Sequence, residues 1–202
     1  MLSTNTVSPG AAASGYYKAE GYYKAGTDEA EASAQWFGRG ASEIGLKGHV
    51  DDVTFAKLLD GEAPNGQLMG RYRGGEREHR RGEDLTFSAP KSISYAALVL
   101  GDERLVQAHD KAVRSAMAFA EKNYINTRRV VNDEIVTERA TKVIAGLFRH
   151  DTSRALDPQL HTHAVIANMV RQTGDDTYRA ILNDDLRRNL KKIDAVYKNT
   201  LA

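Results

Sequence analysis

The 202-residue chain contains no cysteine, only four prolines and no long apolar run. Without cysteine, disulfides and thiolate metal sites are excluded, so any metal ion must be bound by imidazole or carboxylate groups. No stretch reaches the roughly 18 apolar residues that a membrane helix needs, and the first residues lack the basic and apolar regions of a secretion signal. These absences favour a cytoplasmic protein without a membrane span.

An excess of charge of either sign is also missing. The chain has 28 Lys and Arg against 27 Asp and Glu, a formal net charge of +1. If the protein binds nucleic acid, local basic patches must therefore do so. The composition, 41% hydrophobic and 27% charged, is that of a globular protein, and the length fits one domain or part of one.

Three histidines fall at the ends of two apolar segments. His150 ends the apolar segment 142–149, whereas His161 and His163 begin the segment 160–170. Side chains two residues apart point the same way on a β-strand. If the two strands pair antiparallel, the three imidazoles converge at one edge of the sheet. A single strand histidine is more often solvated than a ligand, but this trio favours a divalent metal site with positions left for a substrate.

A near-exact six-residue repeat, GYYKAE followed by GYYKAG, occupies residues 15–26. It contains four of the nine tyrosines: Tyr16, Tyr17, Tyr22 and Tyr23. Most tyrosines are packing residues, and the two glycines weaken any helix through both doublets. From composition alone, a packing role and a functional role for these phenols remain equally open.

A glycine- and arginine-rich loop is predicted between residues 64 and 82. Its five arginines are Arg71, Arg73, Arg77, Arg80 and Arg81. Glu76 and Glu78 dilute the charge, so a solvated loop and a loop that follows DNA phosphates are both open. A basic helix is expected from Asp184 or Asp185 to Ala202.

The remaining pattern predicts an α+β domain, a mainly antiparallel sheet flanked by helices. Residues 2–8 and 84–89 are typical of strands, the latter half-buried, and residues 128–138 of a hairpin. Helices are expected at 51–59, 93–100 and, capped by Asp102, from there to about Asn123. The segment 36–46 is interpreted as a connector.

Three blocks of sequence resemble a known family, the MobF-type (TrwC/TraI-like) conjugative relaxases of the HUH endonuclease superfamily. They are the tyrosine doublets, residues 84–92 (DLTFSAPKS), and residues 150–154 (HDTSR) with 157–165 (DPQLHTHAV). They occur in the family's order and span nearly the whole chain. The two doublets lie closer together than in the family, which leaves the role of the second doublet open.

The resemblance implies a palm-like HUH relaxase fold and a site-specific DNA nickase. Such an enzyme cuts one strand at a plasmid origin of transfer, forms a 5′-phosphotyrosyl link and later rejoins the ends. The implied partners are single-stranded origin DNA and other conjugation proteins, and we expect a monomer. Residues 1–202 would be an N-terminal relaxase domain truncated at its C-terminal side, with a helicase region expected downstream.

Residue roles follow from this resemblance and from the chemistry. His150, His161 and His163 would bind one divalent ion (Mg, Mn, Ni, Co or Zn). Tyr16 is the first choice of nucleophile and Tyr17 the next, whereas Tyr22 and Tyr23 serve a second strand transfer or pack against DNA. Asp84 could orient a ligand histidine or accept the phenol proton, and the sequence does not separate the two roles. We favour orientation, because an ordinary carboxylate is a poor base for a phenol. The arginines of the 64–82 loop and Lys91 are candidate DNA contacts.

Two alternatives remain. One is a binding module without catalysis, in which the histidines hold a structural metal and the tyrosines stack on bases. The other is a rolling-circle replication initiator with the same histidine core. Tyrosines that precede the histidines in the chain favour the conjugative interpretation.

Overall fold

The computed structural model describes residues 1–7, 34–153, 155, 157–172 and 174–202. The strands in these residues are β1 Leu2–Thr6, β2 Ala34–Phe37, β3 Arg71–Arg73, β4 Glu76–Glu78, β5 Gly82–Ser88, β6 Asn126–Val131, β7 Glu134–Arg139, β8 Val143–Thr152, β9 Pro158–Arg171, β10 Tyr178–Arg179 and β11 Ile181–Leu182. The helices are α1 Arg39–Glu43, α2 Asp52–Leu59, α3 Lys91–Leu98, α4 Glu103–Tyr124, α5 Asp184–Arg188 and α6 Leu190–Leu201. All four tyrosines of the doublets lie outside the described residues.

A central antiparallel sheet organises the chain. Its order is β1-β5-β9-β8-β2, and β10 pairs with the far end of β9. Two smaller sheets, β11-β6-β7 and the hairpin β3-β4, lie beside it. The expected α+β class with a mainly antiparallel sheet is confirmed.

Apolar layers cover both faces of the central sheet. On one face, which we call the helix face, β5 and β9 pack against α4 and α6 through residues such as Phe87, Ala164 and Tyr197. On the opposite face, the histidine face, Phe55 of α2 packs against Phe148 of β8, with ring centroids 5.1 Å apart. The long strands β8 and β9 are therefore buried on both sides, which explains their nearly unbroken apolar sequence.

Several predicted elements are confirmed. Asp102 caps α4, its side chain accepting a hydrogen bond from the backbone N–H of Arg104. The hairpin β6-β7 turns at Asn132 and Asp133, whose φ angles of 51° and 64° are those of a two-residue hairpin turn. The two histidine strands pair antiparallel, as expected.

The interpretation of residues 36–46 as a connector is wrong. Trp36 and Phe37 belong to β2, which pairs with β8, and α1 follows directly. Gly38 makes the junction with a φ of 106°, and a Cβ there would lie 2.1 Å from the carbonyl oxygen of Val143. The glycines thus serve a close approach between two elements.

Two other expectations need correction. The loop expected at 64–82 contains the hairpin β3-β4. The single helix expected to reach Ala202 is divided at Asn189 into α5 and α6. The half-buried strand expected at 84–89 is confirmed, because Leu85, Phe87 and Ala89 are buried whereas Thr86 and Ser88 on the other face are partly exposed. Asp84 departs from this alternation, since it is only 6% exposed.

Candidate metal centre

Three imidazoles meet where β8 ends and β9 begins. His150 lies directly opposite His161 in the register, and His163 follows two residues later on the same face. The ring centroids are 5.1, 5.2 and 5.3 Å apart in the three pairs, and one nitrogen from each ring lies within 4.8 Å of the others. The predicted convergence is confirmed, although it occurs at the ends of two central strands and not on an outer strand.

Asp84 holds the ring of His163. The Nδ1 of His163 lies 2.8 Å from Oδ2 and 3.1 Å from Oδ1 of Asp84, which comes from the neighbouring strand β5. The hydroxyl of Thr86 is 3.3 Å from the same nitrogen. A carboxylate accepts a hydrogen bond, so Nδ1 carries the proton and Nε2 is the nitrogen with which His163 would bind a metal ion.

The backbone orients His161 in a similar way. Its Nδ1 lies 3.0 Å from the carbonyl oxygen of Gln159, which can only accept a hydrogen bond. The proton therefore sits on Nδ1, and Nε2 keeps its lone pair. Burial lowers the pKa of His161, since desolvation disfavours the charged imidazolium. His161 is thus neutral near pH 7, the form that binds a metal ion.

These residues fit a divalent transition metal. His150 and His161 are buried, at 4% and 9% exposed, and His163 is partly buried. Two of the three rings have their Nδ1 atoms fixed by oxygen acceptors, the arrangement usual for histidine ligands. Three nitrogen donors suit Mn, Co, Ni or Zn better than Mg, which prefers oxygen ligands.

The sequence analysis missed Thr86 and Gln159. Thr86 could have been found, because strand alternation places it on the same face as Asp84. Gln159 acts through its backbone carbonyl, for which the sequence carries no side-chain signal.

The predicted DNA-contact arginines fall into two groups. Arg71 and Arg73 are exposed on β3, and Arg73 lies 3.9 Å from Glu78. The other three are engaged by the protein. Arg77 donates to the carbonyl oxygens of Met69 and Asp60, Arg80 donates to the side chain of Asn168, and Arg81 pairs with Asp60. A DNA contact stays a prediction for all five.

An open groove of about 1000 Å³ lies beside these side chains. Four of the five arginines line it, together with Arg128 of β6 and Arg179 of β10. The groove also includes Asn168, near the end of β9 away from the histidines. The fold therefore gathers the positive charge of separate segments along one surface.

Lys91 lies near the histidine end of the sheet. Its Nζ donates to the carbonyl oxygen of Pro158, 3.1 Å away, at the start of β9. It lines an open cavity with Ser88 and Gln159, and Ser88 is the register partner of His161. Lys91 is thus closer to the metal centre than the arginine groove is.

Comparisons with known proteins agree with this geometry. The family described as TrwC relaxase matches residues 10–202. The multifunctional conjugation protein TraI of Escherichia coli strain K12 is 39% identical over 203 residues, which cover all of this chain and 11% of TraI. A second E. coli TraI is 41% identical over 176 residues, which cover 87% of this chain and 10% of that protein. The chain thus spans about a tenth of the length of these relatives.

Solved structures of conjugative relaxase TrwC have the same fold. A metal-bound complex of TrwC with oriT DNA gives a TM-score of 0.86 at 39% identity, covering all of this chain and 68% of that one. TrwC complexed with a 27-mer DNA that comprises the recognition hairpin and the cleavage site gives 0.84 at 37% identity, covering 100% and 67%. Since the family match covers nearly every residue and agrees with the fold, this chain belongs to the TrwC relaxase family, the MobF-type relaxases that its motifs resemble.

Proposed function

We propose that this chain nicks and rejoins one DNA strand at a plasmid origin of transfer and so initiates conjugative transfer. The observation that carries the proposal is the cluster of His150, His161 and His163, with Asp84 bonded to His163. It occurs in a fold shared with TrwC, whose structures include a metal-bound complex with oriT DNA. That likeness favours conjugation over a rolling-circle initiator.

A divalent ion would be held by the three histidines. When bound, such an ion polarises the phosphate and helps to orient it. The protein's own contribution is to present three imidazoles from two strands whose register fixes their spacing. Mn, Co, Ni and Zn suit these nitrogens, and Mg remains possible in the cell because phosphate and water supply oxygen ligands.

Asp84 acts as an orienting group in this proposal. It lies within hydrogen-bonding distance of His163 Nδ1, where it fixes the ring and its tautomer. A carboxylate engaged in this way is poorly placed to accept a phenol proton as well. The geometry therefore supports orientation over general-base catalysis.

Tyr16 is the proposed nucleophile. Its phenol oxygen attacks phosphorus, the bond to the 3′ oxygen breaks, and that oxygen leaves as a free 3′-hydroxyl. The phenol proton is lost to solvent or to a nearby base. The new phosphotyrosyl bond keeps the energy of the phosphodiester, so the hydroxyl of another strand end can reverse the reaction without ATP.

The surroundings of the reaction are part of the proposal. We place the phosphate that is cut in single-stranded origin DNA at the three histidines, with Arg71, Arg73 and Lys91 as backbone contacts. Plasmid DNA is cytoplasmic, which places the chain there. A monomer suffices for one nick, and contacts with other conjugation proteins and a helicase region in the same polypeptide remain predictions. Within the described residues, no helix is long and apolar enough to cross a membrane.

The experiment is an adduct assay with the natural protein that carries this chain. It is incubated with Mn²⁺ and single-stranded oligonucleotides of candidate origins, labelled at the 3′ end or at the 5′ end. Transesterification should transfer the 3′ label to protein that resists denaturation and release the 5′ label as a short free strand. His163→Ala, checked for fold by circular dichroism, should abolish both products, as should EDTA.

Each result separates the candidates. Binding of the oligonucleotide without any adduct would favour the binding module. Free fragments without a protein-linked label would mean hydrolysis by water and would overturn the phosphotyrosyl step. Cleavage that persists in EDTA and in His163→Ala would overturn the metal centre.

A further inference from the structure

We propose that His109 is a positioning residue for the metal centre, acting through Thr162 on the opposite face of β9. His109 belongs to α4 and lies in the helix layer, away from the face that carries the three ligand histidines. The inference rests on the proposed metal site and adds residues that touch neither metal nor DNA.

A hydrogen-bonded chain joins three elements behind the metal centre. The Nε2 of His109 lies 2.8 Å from Oγ1 of Thr162, and its Nδ1 lies 2.8 Å from the hydroxyl of Tyr197 on α6. His109 and Tyr197 are fully buried, and Thr162 is 3% exposed. Both ring nitrogens thus have a partner, and neither partner is water.

The position of Thr162 in β9 connects these hydrogen bonds to the metal centre. Thr162 stands between His161 and His163, so it shares a peptide unit with each ligand residue. Side chains alternate along a strand, and its hydroxyl therefore points to the helix layer while both imidazoles point to the histidine face. A hydrogen bond that holds Oγ1 of Thr162 also holds the backbone of β9 at this residue. The backbone there sets the directions in which His161 and His163 point.

The packing around His109 argues against a role in stability alone. The neighbouring helix layer is apolar, with Phe87, Ala112 and Leu160 among its buried residues. Burying a polar ring there is costly, and an apolar side chain of similar size would fill the same space as well or better. Burial lowers the pKa of His109 to about 3, so the ring is neutral and has one donor and one acceptor for its two hydroxyl partners. These hydrogen bonds therefore contribute the orientation of the Thr162 side chain, which apolar packing would not fix.

Thr162→Val provides the main test, because valine keeps the shape of threonine and removes the hydroxyl. The affinity for Co²⁺ should fall by about three- to tenfold, which corresponds to the free energy that one hydrogen bond contributes. The visible absorption of bound Co²⁺ should also change, since it reports the arrangement of the ligands. Both measurements are made by titration of the purified protein without DNA.

Thr127→Val is the matched control. Thr127 is also a buried strand threonine, 1% exposed, whose hydroxyl makes one hydrogen bond, to the carbonyl oxygen of Ala180. It lies on β6, in the small sheet. It should lose thermal stability like Thr162→Val and keep the wild-type Co²⁺ affinity and spectrum.

Variants at His109 and Tyr197 complete the test. Glutamine at position 109 retains a donor and an acceptor, whereas leucine has neither, so His109→Gln should keep more Co²⁺ affinity than His109→Leu. Tyr197→Phe, which removes only the hydroxyl, should lower the affinity less than Thr162→Val. The contrary outcome is that Thr162→Val and Thr127→Val lose the same stability and both keep the wild-type Co²⁺ affinity and spectrum. In that case the hydrogen bonds from His109 to Thr162 and Tyr197 only stabilise the fold, and the inference is wrong. If the wild-type protein binds no Co²⁺, the proposed metal site fails first.

Discussion

The carboxylate of Asp84 lies 2.8 Å from Nδ1 of His163, on the neighbouring strand of the central sheet. The contact predicts that Asp84→Asn lowers the metal affinity by about 10- to 100-fold, as is usual when a group that orients a metal ligand is altered. Asparagine can offer its N–H to Nδ1, which would move the ring proton to Nε2, the nitrogen needed for the metal. Calorimetric titration with Mn²⁺ measures the change.

Asp60→Asn is the control for this prediction. Asp60 is also an aspartate with a side-chain partner, Arg81, but it is not part of the histidine cluster. Its variant should bind Mn²⁺ like the wild type. Equal affinities for Asp84→Asn and the wild type would show that Asp84 does not orient His163, and the alternative role of Asp84 as a base would then be favoured.

Buried His109 predicts how stability depends on pH. Its pKa is about 3 in the folded chain, because burial disfavours the imidazolium, and near 6.5 in an unfolded chain. Between these two pKa values His109 is protonated in the unfolded chain and neutral in the folded chain. The free energy of unfolding therefore rises with pH in this range and decreases as the pH falls. From pH 7 to pH 5 the wild type should lose about 2 kcal/mol more than His109→Gln. Urea unfolding at the two pH values measures this.

The comparison with His109→Gln isolates this proton. The pKa of His79 is also lowered, to about 4, mainly by burial, and contributes in the same direction. Burial raises the pKa of Asp110 and Glu121, which acts in the opposite direction. All three are present in both proteins and cancel in the difference. Parallel pH profiles for wild type and variant would mean that the pKa of His109 is the same in the folded and the unfolded chain, and the buried neutral ring would be excluded.

Short-range patterns made much of the site predictable. On a strand, the spacing of His161 and His163 places both side chains on the same face. The polar turn before them brings His150 next to them. Asn132 and Asp133 adopt left-handed backbone angles that both residue types tolerate, so the hairpin was equally readable. These features depend only on neighbours in the chain.

Other features depend on contacts between distant segments. Asp84 is buried because β1 pairs with β5 across about 80 residues of sequence, and nothing local indicates that pairing. Trp36 and Phe37 form a strand because β8 offers a partner, despite the glycines that follow. In the sequence, His109 is one more residue of an amphipathic helix. Only the fold places it beside Thr162 and Tyr197.

Exposed arginines on β3 predict salt-sensitive DNA binding. Arg71→Gln and Arg73→Gln should each reduce the steepness of the plot of log affinity against log salt by about one. Each phosphate contact that is lost means that fewer counterions are released from the DNA on binding. Fluorescence anisotropy with a labelled origin oligonucleotide at several salt concentrations gives the slope. Stability should not change, since both side chains are exposed.

Arg104→Gln is a suitable control for the arginine variants. Arg104 is 88% exposed, like Arg73 it has an acidic partner, and it lies at the start of α4. Its variant should keep the wild-type slope. A slope that is the same for all three variants would exclude β3 from the DNA contacts, and an affinity independent of salt would exclude a dominant role for phosphate contacts altogether.

Tyr16 is the phenol expected to attack the DNA. It lies outside the described residues, and its assignment depends on its leading position in the first doublet, directly after Gly15, which permits close approach of the backbone to a ligand. An attacking oxygen must come within roughly 3–3.5 Å of phosphorus and in line with the leaving oxygen. Adjacent residues point in different directions, so only one phenol of a doublet can meet that geometry at a time.

Tyr16→Phe keeps the ring and removes only the attacking oxygen. It should therefore eliminate the covalent adduct on a single-stranded origin oligonucleotide while binding stays within about twofold of the wild type, because base stacking does not need the hydroxyl. The controls are Tyr17→Phe, Tyr22→Phe and Tyr23→Phe, each of which should retain most of the first cleavage. Peptide mapping of the trapped adduct identifies the nucleophile directly. DNA attached to any other tyrosine would overturn the assignment but leave the phosphotyrosyl step intact, because another phenol would then occupy the in-line position opposite the histidines.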